Sequence, residues 1–187
     1  MPHSEPMHGS LVIASLALAL DGSAAMADAT DFRADAEIDP TAYALSGYSL
    51  HVGLGYERFR LDLGNFALAL PQFIHGDDGF DVSFHGYGAK LQYFPLTANH
   101  GLVVGIDAAV VRMLAQRQGT DLALQQSQLA IGVNLGYRIA LPDAFYVTPW
   151  IGVGHPFFAT DVTLAGSTYT PARIEVFPAI HLGRRFR

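Results

Sequence analysis

The sequence contains no cysteine, few charged residues and no long apolar run. The absence of cysteine excludes disulfide bridges, cysteine-ligated zinc and a cysteine nucleophile. Charged residues make up 15% of the chain although half of its residues are hydrophobic, and a typical soluble domain carries about 25%. No apolar run approaches the roughly 20 residues of a membrane-spanning helix. This composition leaves an unusually buried soluble fold or a membrane β-barrel.

Basic charge is scarce as well. The chain has 11 Lys and Arg residues against 17 Asp and Glu residues, and its net charge is −6. Nucleic acid binding calls for clustered Lys and Arg, so no nucleic-acid partner is expected. His75, His85 and His155 do not have the spacing of a known metal site, even with the acidic loop at 76–79. We expect no metal and no cofactor.

The N-terminus has the pattern of a secretory signal peptide. An apolar stretch, "LVIASLALAL" at 11–20, is followed by the small residues "SAAMADA". This order predicts a signal peptide over 1–27 with cleavage before Asp28, the alternative being a buried helix of the mature fold. Residues 28–42 are acidic and weakly patterned, and they are interpreted as a lead-in or a weak first strand.

The rest of the chain alternates apolar with small or polar residues. In "QSQLAIGVNLGYRIAL", 126–141, every second residue from Leu129 to Ile139 is apolar, with Gly, Asn and Arg among those between. A period of two predicts a strand with two unlike faces. The same rhythm recurs from residue 43 to the C-terminus, in strands of 12–15 residues, longer than soluble sheets usually have. The chain is therefore predicted to be all-β.

The polar faces indicate which side is buried. They carry glycines and isolated charges instead of the many Lys and Glu residues of a soluble sheet. We therefore expect the apolar faces to contact lipid around a closed antiparallel up-and-down transmembrane β-barrel of eight strands, spanning 43–187. Seven strands are evident. The eighth strand is assigned to the weakly patterned segment 30–42. The alternative is that the residues near 66–80 are divided into strands differently and supply the eighth strand. A bulge near Asn65 would keep Phe66, Leu68 and Leu70 on the outer face.

Aromatic and charged residues extend this hypothesis. Aromatic girdles are expected at both ends of the strands. The residues expected near the short turns are Tyr56, Phe59, Tyr93, Phe94, Tyr137, Phe145 and Tyr146, and those expected near the longer loops are Phe66, Phe73, Phe80, Phe84, Phe157, Phe158 and Tyr169. The inward charges must pair because the lumen is narrow. The predicted lumen charge network consists of Arg60, Asp62, Lys90, Asp107, Arg138, Glu175, His181 and Arg185.

From residue 43 to 187 the chain resembles the small bacterial outer-membrane β-barrels of the OmpA-, OmpX- and OmpW-like class. The C-terminal "IHLGRRFR", with Ile180, Leu182 and Phe186 on one face, resembles the signal read by the barrel-assembly machinery. The resemblance implies a monomer in the outer membrane of a Gram-negative bacterium. Its implied partners are outer-membrane lipid, lipopolysaccharide and that machinery. The expected role is structural or interactive, or the porin-like passage of very small solutes.

Two other functions stay open. Ser49 and His51 share one strand face, as do Ser83 and His85, and a Ser–His pair can form a nucleophile when an acid orients the histidine. Lipid A deacylases of the outer membrane have similar residue types in the order His-x-Ser, so a lipid A-modifying deacylase or acyltransferase is one alternative. That alternative predicts a pair facing the bilayer. A soluble lipocalin-like carrier with an apolar cavity is the other.

Two prolines interrupt neighbouring predicted strands. Pro149 and Pro178 each remove one hydrogen bond from a ladder. They indicate a bulge or a strand end at the membrane rim, or else a lateral opening for a lipid chain. The latter occurs in the outer-membrane palmitoyltransferase that a barrel of this size resembles.

Overall fold

A computed structural model describes residues 32–186. The predicted signal peptide and its cleavage site lie outside the described residues. The strands are β1 (Phe32–Ile38), β2 (Tyr48–Tyr56), β3 (Phe59–Leu70), β4 (Phe80–Tyr93), β5 (Gly101–Arg117), β6 (Ala123–Ala140), β7 (Phe145–Phe157), β8 (Val162–Leu164), β9 (Ser167–Tyr169) and β10 (Glu175–Phe186). The helices are α1 (Pro40–Ala44), α2 (Gln72–His75) and a 3₁₀ turn at Pro142–Ala144.

Eight of these strands form a closed antiparallel barrel in the order β1-β10-β7-β6-β5-β4-β3-β2. Closure is made by β1, which pairs with β2 on one side and with β10 on the other. The predicted eight-stranded up-and-down barrel is confirmed. The eighth strand is β1, which lies within the segment 30–42. The remaining two strands, β8 and β9, form a separate hairpin in the last loop.

The two ends of the barrel differ in their connections. Residues 57–58, 94–100 and 141–144 join strands at the end where β1 begins and β10 ends, here called the turn end. The opposite loop end carries α1, α2, the loop between β5 and β6, and the β8–β9 hairpin. Within residues 32–186, no helix has the length and hydropathy needed to cross a membrane.

Alternate residues of each strand form an outward row, which faces the surroundings of the barrel, and an inward row, which faces its lumen. Over most of the barrel the outward rows are apolar and the inward rows carry polar residues and glycines. On β6, Val133 is 59% exposed, whereas the next residue, Asn134, is 6% exposed and faces the interior. The same contrast holds on β3, where Leu61 and Leu63 are exposed and Asp62 is fully buried. At the turn end the outward rows finish in exposed aromatic residues. These are Phe32, Tyr56, Phe59, Tyr137 and Phe145. Phe94 and Tyr146, expected in the same girdle, are instead buried, and both rings lie against the guanidinium of Arg138.

The predicted bulge near Asn65 is wrong. The pairing of β3 with both neighbours keeps a single register, from Tyr48↔Ala67 to Tyr56↔Phe59 on the β2 side. Phe66, Leu68 and Leu70 therefore lie on the inward row, in register with the inward residues of β4. Phe80, Phe84 and Tyr169, expected in the outer girdle of the loop end, are likewise packed inside or over the barrel mouth. The physical reason is that the interior becomes apolar towards the loop end.

The two prolines do not open the wall between their strands. Pairing of β7 with β10 runs in one register from Glu175↔Gly154 to Arg184↔Phe145 and passes through Pro149 and Pro178. The interruption occurs on the other side of β7, where the pairing with β6 skips from Gly136↔Trp150 to Ile139↔Val147. The lateral opening between β7 and β10 is therefore not present.

Candidate functional site

The turn-end half of the lumen is filled by buried ion pairs, here called the plug: Asp35, Glu37, Arg60, Asp62 and Arg138. Arg60 donates from Nε to Asp35 Oδ2 at 3.0 Å and from Nη1 to Asp62 Oδ2 at 2.9 Å. Arg138 donates from Nη2 to Glu37 Oε1 at 2.8 Å. All five side chains are nearly inaccessible to solvent. Buried charges of this kind are stable only when each is paired, and here each one is.

Neutral and aromatic groups complete the surroundings of the plug. Arg138 Nη1 donates to Asn99 Oδ1 at 2.8 Å, and its guanidinium lies 4.1 Å from the ring centroid of Tyr146. His181 Nδ1 contacts Glu37 Oε2 at 2.8 Å. Gln92 Oε1 accepts from Arg60 at 2.8 Å. Together these contacts satisfy the charged groups from every side of a narrow barrel.

Glycine on the inward rows makes room for these long side chains. A Cβ built on Gly53 would collide with Asp35 and with the guanidinium of Arg60. A Cβ on Gly183 would collide with the ring of Tyr146. Gly53 and Gly183 are therefore packing requirements of the plug and its surroundings.

Other residues of the predicted charge network lie apart from the plug or at its edge. Lys90 Nζ is 3.4 Å from Asp62 Oδ1 and 4.8 Å from the ring centroid of Trp150. Asp107 accepts from Asn134 Nδ2 at 2.9 Å. Glu175 lies at the loop end of β10, and Arg185 forms no ion pair with any residue of 32–186. The network predicted as one group is thus divided in the structure.

Above the plug lies a largely apolar chamber, a cavity of about 680 Å³ whose lining also includes the polar residues Asp107, Gln128 and Glu175. Phe66, Leu68 and Phe84 line one wall, and Gly152 and Gly154 line another. Glycine keeps that wall flat and widens the cavity. The volume is within the roughly 300–1,000 Å³ of pockets that hold a small organic ligand.

The chamber reaches the exterior at the loop end. Ile74 of α2 and Ile174, just before β10, both line it, and they are 52% and 67% exposed. Beside this mouth the β8–β9 hairpin packs Val162 and Tyr169 onto the inward residues of β4 and β5. Burial, together with the negative charges of Glu175 and Asp77, raises the pKa of Tyr169. Its hydroxyl is therefore neutral over a wider pH range than that of a free tyrosine.

At the floor of the chamber, Ser49, His51 and Asp62 form a hydrogen-bonded relay. Ser49 Oγ is 2.9 Å from His51 Nε2, and His51 Nδ1 is 2.8 Å from Asp62 Oδ1. Ser49 and His51 come from the inward row of β2, and the β2–β3 hairpin brings Asp62 beside them by pairing it with Gly53. The candidate pair Ser49 and His51 thus has an acid next to it, and it faces the lumen.

The second candidate pair does not have this arrangement. Ser83 and His85 lie on the outward row of β4, and His85 contacts Asn65 and the ring of Tyr87. No acid within residues 32–186 pairs with His85. His75, His85 and His155 are not brought together either, and no group of metal-ligating side chains occurs in the described part of the chain.

Two functional groups were missed by sequence reasoning. Asp35 and Glu37 supply two of the three carboxylates of the plug, and they lie in a segment whose sequence pattern is weak. The signal is present, because in "FRADAEI" the acidic residues alternate with Phe32, Ala34 and Ala36. Alanine carries too little hydrophobicity to make that alternation evident.

Comparison with known proteins gives only distant structural likeness. No family model matches the sequence, and no curated protein matches it. Neisserial surface protein A is 16% identical, with a TM-score of 0.47 over 82% of this chain and 94% of that one. A major outer membrane protein of Thermus thermophilus is 14% identical, with a TM-score of 0.49 over 85% and 100%. The N-terminal β-barrel domain of Pseudomonas aeruginosa OprF is 13% identical, with a TM-score of 0.43 over 84% and 100%.

At such identities and TM-scores these similarities say nothing of the function of this chain. The strand pairing of the chain itself establishes that it is a closed eight-stranded antiparallel β-barrel.

Proposed function

We propose that the chain is an outer-membrane β-barrel with a non-conducting lumen and a structural or interactive role at the cell surface. The observation that carries this proposal is an apolar outer belt around a charged, filled interior. On β5 the outward row is apolar from Leu102 to Val110, and its first outward charge is Arg112. On β6 the outward row is apolar from Leu129 to Ile139. These lengths match the roughly 9–11 residues of a tilted transmembrane strand.

The belt argues against the soluble lipocalin-like carrier. Such a carrier would hold its large apolar side chains inside and polar ones outside. Here Ile106, Val133 and Leu135 are about half exposed, while Asp35, Arg60 and Asp62 are buried. Water around the belt would leave an apolar surface far larger than soluble monomers expose.

The plug supports a lumen that does not conduct. Arg60 and Arg138 are 1% and 2% exposed, and their partners reach the plug from different strands of the barrel wall. An ion crossing this layer would have to separate these buried, paired charges from one another. The remaining space is a chamber that is open at the loop end and blind at the plug.

Orientation and partners follow from the same features. Because the turn end has the short connections and the loop end the longer ones, we place the turn end in the periplasm and the loop end outside the cell. Lipid and lipopolysaccharide contact the belt, and the barrel acts as a monomer. The C-terminal strand β10, with Ile180 and Leu182 facing outward, is the segment that the barrel-assembly machinery recognises.

Location is tested by fractionation and gel mobility. The full chain, expressed in a Gram-negative host, is expected in the detergent-resistant outer-membrane fraction. Its gel mobility should shift on boiling, because a closed barrel keeps its compact form in detergent until it is heated. Recovery of folded protein in the buffer-soluble fraction would overturn the proposal.

Conduction is tested in planar bilayers. The wild-type barrel is expected to give no stable current steps. Arg138→Ala removes the guanidinium that joins β6 to Glu37, and it is expected to produce steps or flicker. His75→Ala, at the chamber mouth, is the control and should give no current steps, like the wild type. Regular open-channel steps from the wild type would contradict a filled lumen.

A further inference from the structure

The relay at the chamber floor has the donors and acceptors of a nucleophile with its base. Asp62 also accepts from Arg60 and lies 3.4 Å from Lys90, so its carboxylate has only acceptors to offer His51. His51 Nδ1 must therefore donate to Asp62. In neutral His51 this leaves Nε2 as an acceptor for the hydroxyl proton of Ser49. That is the arrangement in which a serine becomes a nucleophile.

A cation lies next to the relay on the chamber side. Lys90 is the only Lys or Arg among the residues lining the chamber in the described part of the chain. Its Nζ approaches the same Asp62 oxygen that His51 contacts. An ammonium group held in a site of low water content stabilises negative charge that develops on a reacting carbonyl oxygen.

The chamber itself defines the class of substrate. Ser49 and His51 line its floor, and most of the wall above them is formed by apolar side chains and glycines, with the polar side chains of Asp107, Gln128 and Glu175 among them. A flexible acyl chain entering between Ile74 and Ile174 would bury its methylene groups against Phe66, and its polar end would reach Ser49. Burial stabilises such a chain by about 0.8 kcal/mol for each methylene group.

We infer that Ser49 and His51 are the catalytic residues of an ester hydrolase that acts on carboxylic esters of a single acyl chain held in the chamber. Ser49 Oγ attacks the ester carbonyl carbon, and its proton passes to His51 Nε2. The alcohol leaves with that proton, and an acyl group remains on Ser49. Water then attacks the acyl-serine, giving the free carboxylic acid and regenerating the serine. The net reaction converts ester and water into acid and alcohol.

This inference rests on the proposed function only in requiring the chamber to be open at the loop end, and its test is separate. Protein folded in detergent micelles is treated with a fluorophosphonate probe that labels activated serines, and with p-nitrophenyl esters from acetate to decanoate. Wild type is expected to be labelled at Ser49 and to hydrolyse the esters. Ser49→Ala should abolish labelling and reduce hydrolysis on the order of 10³-fold, or to background.

Ser83→Ala is the matched control, because it removes the same hydroxyl from the outward row and should change neither result. Heat-modifiable gel mobility reports whether each variant is folded. Folded wild type that is neither labelled nor active, or labelling that persists in Ser49→Ala, would overturn the inference. Since the assay uses micelles, such a failure is distinct from a failure of outer-membrane fractionation.

A second variant tests where the acyl chain lies. Ala130 faces the chamber from β6, and Ala130→Phe narrows the space above the floor. The ratio of decanoate to acetate hydrolysis should fall at least about tenfold, the effect of losing a few buried methylene groups. An unchanged ratio in the folded variant would show that the chain binds elsewhere, and it would overturn the assignment of the chamber.

Discussion

At the scale of single residues, the interior is decided by which positions are glycine. Arg60 of β3 can reach Asp35 of β1 over the intervening strand β2 because Gly53 of β2 has no side chain. The next inward glycine on β2, Gly55, differs, since a Cβ there would meet its nearest atoms at 3.6–3.9 Å, an ordinary contact distance. The two glycines therefore offer a matched comparison.

We expect Gly53→Ala to lower the free energy of unfolding by about 1–3 kcal/mol, the usual cost of forcing extra volume into a packed interior. The added methyl group must displace the guanidinium from its carboxylate. Urea unfolding of the folded barrel in micelles, followed by tryptophan fluorescence, measures the change. Gly55→Ala should shift the unfolding midpoint much less. Equal shifts for the two variants would show that the ion pair of Arg60 with Asp35 does not depend on the missing side chain at position 53.

The relay shows what residue-level reasoning could and could not predict. The pairing of Ser49 with His51 follows from the alternation of one strand. Asp62 comes from the next strand, and its position depends on the register set by the two-residue turn at 57–58. The side on which the pair lies depends in turn on the direction of the whole sheet. Strand alternation alone thus places Ser49 beside His51, whereas the acid beside them and their position in the lumen follow only from the pairing of the strands.

At the scale of elements, the alternation of β6 is the clearest link between sequence and structure. Its outward residues from Leu129 to Ile139 and its inward glycines keep one register with β5 along the strand. The alternation of β3 was harder to interpret, because Phe66, Leu68 and Leu70 are apolar and still face inward. A rule that places all apolar residues on lipid fails where the lumen itself is apolar.

Charged substitutions on β6 test the depth of the belt. Val133 lies in the middle of the outward row, and Ile139 lies near the turn end. Val133→Arg is expected to cost about 2–4 kcal/mol of folding free energy in lipid vesicles, and Ile139→Arg about 0–1 kcal/mol. Unfolding titrations in vesicles measure both. Similar costs at the two positions would argue against a bilayer centred on Val133.

At the scale of the whole molecule, the unequal ends of the barrel predict its sidedness. Gly119, in the loop between β5 and β6, has a φ of 71° and no atom within 4 Å of a Cβ built there, so an inserted peptide epitope should be tolerated. The turn at 57–58 lies at the opposite end.

An epitope after Gly119 is expected to bind antibody on intact cells. The same epitope in the turn at 57–58 should bind only after the outer membrane is permeabilised. Flow cytometry on intact and permeabilised cells measures both, and immunoblotting of boiled and unboiled membranes confirms folding. The reverse pattern would invert the orientation given above.

The shortest strand of the wall, β1, carries two of the three acids that neutralise Arg60 and Arg138. While β1 is undocked, Arg60 keeps only Asp62 as a carboxylate partner, Arg138 keeps none within the described residues, and the wall has an open seam. Docking of β1 removes both defects in one step, so a half-assembled intermediate has little to stabilise it. Docking of the N-terminal strand is thus the step that completes the barrel, and biogenesis of the barrel should be close to all-or-none.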